Sequence, residues 1–175
     1  MEEPIAPRTF INQSIAKLLT RFPALFRRWV RHHSFVTFDD SPWTPFKGDP
    51  AQSRVALVTT AGVHLRHDPP FNMRDPAGDA TFREIPAQST PTDLTITHDY
   101  YDHRDADRDI SVVLPLEPLN ALAAAGDIGA VNRRHFSFMG HILPPHRRTL
   151  VDDTAPRVAE LLKADEVDIA ILTPA

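Results

Sequence analysis

The stretch DDTAPRVAELLKADEVDIAILTPA (residues 152–175) decides how the fold reads. Asp153 or Thr154 can cap a helix, Pro156 suits a first helical turn, and the apolar spacing that follows predicts a helix over 156–163. Residues 167–172 are continuously apolar, with no alternation. Continuous hydrophobicity is the pattern of a buried strand in a parallel sheet. Helix followed by buried strand argues for an α/β protein with a mainly parallel sheet flanked by helices.

Working outward, SRVALVTTAGVHL (53–65) carries a second β-rich run at 55–58, opening onto the small residues Thr59, Thr60, Ala61 and Gly62. DISVVLPLEPLNALAAAGDIG (109–129) reads as a strand at 111–114, a helix from about 117 to 125 and a cap at Gly126. Residues 82–85 fit a short edge strand, 94–98 another strand, and RHFSFMGHI (134–142) a short aromatic strand or turn. Residues 10–33 fit one helix interrupted at Pro23, or two. The chain thus divides into a helical extension (1–50) and an α/β domain (51–175), with long Pro-rich loops in the middle third. In parallel α/β sheets, ligands bind beyond the carboxyl ends of the strands. Those ends fall here at 59–64, 115–117 and 173–175.

Composition narrows the functional classes. A net charge of −4 gives no general reason to expect nucleic acid. One local exception is RFPALFRRWVRHH (21–33), which reads as a helix packed through Phe22, Leu25, Phe26 and Trp29. Its basic face is solvated, and could also meet a membrane surface, a nucleic acid or an acidic partner. No run approaches the roughly 20 apolar residues of a membrane span, and the acidic start is unlike a signal peptide, so the expected location is cytoplasmic. The chain has no cysteine, which removes disulfides, thiolate metal sites and a cysteine nucleophile from the residues given.

Nine histidines are present, several just after predicted strands. His64 and His67 follow the first strand; THDYYDHRDADRD (97–109) holds His98, Asp99, Asp102, His103 and three further aspartates; HFSFMGHI adds His135 and His141. Histidine with aspartate is raw material for a metal site, for proton transfer, or for plain loop capping and surface ion pairs. His64 and His98 stand out because each ends an apolar strand. The GxSxG elbow, HExxH, GxGxxG and the Walker sequence are all missing. A complete catalytic machine is not legible in the chain.

Several segments are, however, characteristic in order. VALVTTAGVHLRHDPPFN, GDATFREIP, ITHDYYDHRDADRDISVVLPLEPLNALAAAGDIG, HFSFMGHI and TAPRVAELLKADEVDIAILTP resemble the selenoprotein B family of glycine, sarcosine and betaine reductases and the selenocysteine subunit of D-proline reductase. The resemblance covers about residues 54–175 and leaves the first fifty outside.

The resemblance implies reductive cleavage of a C–N bond in a small amine. A selenol or thiol attacks the substrate, a pyruvoyl group on a companion subunit activates the amine, and a dithiol donor restores the enzyme. In that family the strand matching VDIAILTP leads into a selenocysteine or cysteine, two residues and a cysteine. The expected redox residue therefore follows Ala175, and a selenocysteine codon read as stop would account for its absence. The polypeptide as given is expected to lack turnover. His64, His98, Asp99, His103 and His141 are the candidates for orienting substrate or handling protons, with Thr60, Thr173 and Pro174 shaping the binding floor and no metal. Two other readings stay open: a non-catalytic partner subunit, and a His/Asp metal-dependent hydrolase.

Overall fold

The structure, a computed structural model, describes residues 7–31 and 44–174. It divides into two compact units, Met1–Gly48 with Asp99–Asp102, and Asp49–His98 with His103–Ala175.

In the larger unit, β1 (Arg54–Thr59) is the central strand. It pairs in parallel along its whole length with β7 (Ile169–Thr173), from Val55↔Ile169 to Thr59↔Thr173. Its other edge is shared by β5 (Ala130–Val131) and β6 (Arg134–Phe138), both parallel, and β3 (Phe82–Pro86) closes that side antiparallel to β6. A separate two-stranded sheet joins β2 (Val63–Leu65) to β4 (Leu94–Ile96). The sequence-level expectation of an α/β fold with a mainly parallel sheet holds. Between β6 and β7 the chain returns through a short helix α5 (His146–Thr149), a π-helical turn and α6 (Ala155–Ala164). Val158 of α6 packs on Phe136 and Phe138, with Leu161, Leu162, Val58 and Phe82 around them. Phe82 meets Phe136 edge-on at 5.8 Å between ring centroids, a geometry favoured by the ring quadrupoles.

β5 and β6 are two parts of one interrupted strand. Between the pairs Val55↔Val131 and Val58↔Phe136, β1 advances three residues and its neighbour five. The extra pair bulges, and the ladder would lose a bond there. Instead the Leu57 amide donates to Nδ1 of His135 at 2.9 Å. The imidazole stands in for a carbonyl, which requires Nδ1 to be unprotonated and places the proton on Nε2. His135 is fully buried, and burial pushes its pKa down to about 4.

At the amino-terminal end of the sheet a buried carboxylate, Asp165, ties three elements together. It accepts from Asn132 Nδ2 at 3.1 Å, from Arg133 Nη2 at 2.7 Å and from Arg134 Nε at 2.7 Å. Its carboxyl is held well below the usual carboxylate range, chiefly by Arg134, with burial opposing and Arg133 and Asn132 assisting. The Asp165 backbone carbonyl also accepts from Arg54 Nη1 at 2.7 Å, which fixes the start of β1.

Three expectations are corrected. Residues 110–112 form a 3₁₀ turn, not a strand, because Asp109 accepts from the Ser111 amide and starts a tight turn into α4 (Leu116–Ala125). The terminal strand is not buried: β7 is paired only with β1 among the described residues, and Leu172 is 73% exposed. Hydrophobic content marks a strand but cannot say which neighbours cover it. Phe22 is exposed rather than packed; the side chains of Leu25, Phe26 and Trp29 lie outside the described residues, as do residues 32–43 of the extension.

In the smaller unit, α1 (Pro7–Arg21) and α2 (Pro23–Arg31) meet at the helix-breaking Pro23. Gln13 of α1 donates to Asp99 Oδ1 at 3.2 Å, and a cavity of about 310 Å³ lies between Ala16, Leu19, Thr20 and Pro23 and the segment Tyr100, Tyr101 and Asp102. Among the described residues no helix is long and apolar enough to cross a membrane.

Candidate functional site

The carboxyl ends of β1, β6 and β7 converge, and the backbone there is closely cross-linked. The Thr60 amide and the Thr59 hydroxyl both donate to the Thr173 carbonyl, at 3.1 and 3.3 Å. The Thr173 hydroxyl donates to the Val113 carbonyl at 2.8 Å, just before α4 begins. One residue further, Ala61 bridges Met139, and the Gly62 amide donates to the Phe138 carbonyl at 2.9 Å.

Two loops, 60–62 and 139–141, therefore frame the exit of β7. A Cβ at Gly140 would stand 2.9 Å from the Thr60 carbonyl oxygen. Gly62 has φ +69°, and a Cβ there would stand 2.5 Å from the Thr97 carbonyl oxygen and 3.1 Å from the His98 Cβ. Only glycine fits both constraints. Its absence of a side chain brings β4's end, and so His98, against the first loop.

His98 is 4% exposed. Burial first, then the neighbouring His141 and His103, push its pKa down to about 4. The ring is neutral at pH 7, so it can orient a ligand by hydrogen bonding but holds no proton to give as an imidazolium. His141 follows Gly140 in the second loop, and its Nε2 lies 3.1 Å from the Pro76 carbonyl. Gly78, at φ +89°, packs directly on the His141 carbonyl, and Leu143 donates to Ala77, so the 75–78 turn sets the position of the His141 loop. Gly78→Ala would strain φ and drive a methyl into that backbone, with an expected loss of about 2–3 kcal/mol. Urea unfolding, together with the His141 ring signals by NMR, checks this: both should move.

The other candidates are placed differently. His64 lies on the two-stranded sheet with Nδ1 2.8 Å from the Leu65 carbonyl and Nε2 2.8 Å from the Thr97 hydroxyl, so both ring nitrogens are engaged. Burial lowers its pKa. His103 precedes α3 (Arg104–Arg108) and pairs with Asp107 at 2.8 Å. Asp99 is in the smaller unit, bonded to Gln13. Pro174 is exposed at the end of the described chain. Among the described residues, no group of three or more His, Cys, Asp or Glu side chains is arranged to hold a metal ion.

Sequence reasoning missed Gly140, the Val113 carbonyl and the role of His135. A glycine just past an apolar strand was a usable signal for Gly140. Nothing in residue spacing announces a side chain that replaces a carbonyl in a sheet.

Fold and site together define a parallel α/β protein with a strand-end site framed by small residues and neutral imidazole. The chain is similar to the D-proline reductase subunit gamma of Acetoanaerobium sticklandii, at 37% identity over 131 residues, 75% of this chain and 52% of that protein. The chain spans about half the length of the curated relative it matches. No family model and no solved structure matches it.

Proposed function

We propose that the chain is the strand-end domain of a selenol- or thiol-dependent amino-acid reductase that cleaves a C–N bond in a small amine such as D-proline. The redox residue, selenocysteine or cysteine, follows β7, and a companion subunit contributes a pyruvoyl group. The observation that carries this reading is the likeness to a D-proline reductase subunit. The surroundings of Thr173 fit it. A reactive residue placed beyond Pro174 would emerge beside Thr60, and Val113, which holds Thr173, leads directly into the amino-terminus of α4. A helix amino-terminus favours an anion and so a selenolate or thiolate.

The selenol or thiol, when present, supplies the nucleophile. This chain's own residues hold the strand end. Thr59 and Thr60 fix the Thr173 carbonyl, Gly62 admits His98 to the loop, and His98, neutral throughout the working range, orients polar atoms of the substrate. Thr60, Thr173 and Pro174 form the floor, and His103 and His141, whose charges act on His98, are the proton-handling candidates; His64 ties its own strand to Thr97.

Reading the gene past codon 175 tests the proposal. It expects a TGA codon with an open frame that soon encodes a cysteine, or a cysteine codon at that position. A different stop codon without downstream coding would overturn it.

A further inference from the structure

α1 has an inward face and an exposed apolar one. One carries Ala16, which is 8% exposed, together with Gln13, bonded to Asp99. The other carries Ile11, Ile15, Leu18 and Phe22, each about half exposed at 55%, 50%, 49% and 49%. Steps of four, three and four residues place these side chains in one narrow row along the helix. The Phe22 amide still donates to the Leu18 carbonyl at 3.0 Å, so the row is continuous through the end of α1.

Charge accompanies the row. Residues 7–31 contain six of the 19 Lys and Arg residues, with no Asp or Glu, in a chain whose net charge is −4. Arg21 ends α1, and Arg27, Arg28 and Arg31 lie exposed on α2.

We propose that this face of α1 is the docking seam for an acidic amphipathic helix of another polypeptide. The spacing selects the kind of partner: a row of a and d positions is the narrow seam of helix-on-helix packing, whereas a membrane-surface helix presents a broader apolar face. Charge selects its sign. A second copy of the same helices would bring the same cations and repel, while Glu at the flanking positions of a partner helix would pair with the arginines. Half-exposed Ile, Leu and Phe gain burial only when a partner covers them.

The full chain, titrated with a fluorescent synthetic helix bearing Leu and Ile at a and d and Glu at e and g, tests this by anisotropy. Saturable binding is expected, weakened about tenfold or more when Lys replaces Glu in the peptide, a loss of about 1.4 kcal/mol or more. The double variant Ile15→Glu, Leu18→Glu should abolish it, and Arg27→Glu with Arg28→Glu should weaken it with unchanged helix content by circular dichroism. Equal binding of the two peptides, or of neither, would overturn the proposal. So would binding to phosphatidylglycerol vesicles without peptide binding, or sedimentation showing that the seam joins two copies of this chain.

Discussion

Replacing Asp165 by alanine is expected to cost about 3–4 kcal/mol of folding stability, a large share of what a domain of this size holds. The carboxylate is almost fully buried, with 1% of its side chain exposed, and it anchors Asn132, Arg133 and Arg134 at once. Truncation leaves the largely buried Arg134 with the more exposed Glu84, at 3.1 Å, as an ion-pair partner, and leaves the Asn132 amide one acceptor short. The loss should depend on pH in a defined direction. A carboxyl whose folded pKa is depressed stabilises above its unfolded value near 3.8 and loses that contribution as the pH falls below it. The gap between wild type and Asp165→Ala should therefore be full at neutral pH and begin to narrow below pH 3.8, closing only as the pH falls through the depressed folded value. Urea midpoints at pH 7 and at pH 3 measure both statements.

His135→Leu is expected to cost about 2–4 kcal/mol at pH 7.5, since it leaves the buried Leu57 amide without an acceptor. Shape alone cannot rescue it, because leucine fills much of the volume but accepts nothing. The pH dependence again fixes the cause. With a folded pKa of about 4 against an ordinary value of 6.5, His135 binds fewer protons folded than unfolded between those limits. Its stabilising contribution is complete above pH 6.5 and falls as the pH drops toward 4, by roughly 3 kcal/mol at most. His98, lowered to the same region, adds a similar slope. The wild type should thus lose stability from pH 6.5 downward, before Asp165 begins to titrate. In His135→Leu that slope should shrink to the part due to His98 and the partly lowered His64. An unchanged slope would mean that His135 is not the neutral acceptor of the bulge.

Much of the architecture was legible because hydrophobic pattern and helix signals act locally. Val55 to Val58 read as a strand, Gly126 ends α4 in the left-handed conformation, and Pro23 separates two helices. What was not legible depends on contacts between distant segments. The apolar run at 169–173 is a strand with an exposed outer side, and the histidine count said nothing about which imidazoles are tied. His64 is bound at both nitrogens by its own strand and by Thr97, while His98 reaches the strand-end loops through a glycine. The position of the site at the strand ends followed from the parallel pattern; the cradle of Gly62, Gly140 and Val113 needed the register of β1 against both neighbours.

We propose that a redox residue after β7 makes this domain a reductase subunit. The most direct measurement compares dithiol-dependent reduction of D-proline by two forms, each supplied with a pyruvoyl-bearing companion subunit. One is the chain as it stands, and the other is the chain extended after Ala175 by a selenocysteine or cysteine, two residues and a cysteine. The account predicts turnover only in the extended form, abolished by iodoacetate. Equal turnover by both forms, or none by the extended form in a stable complex with the companion, would contradict it.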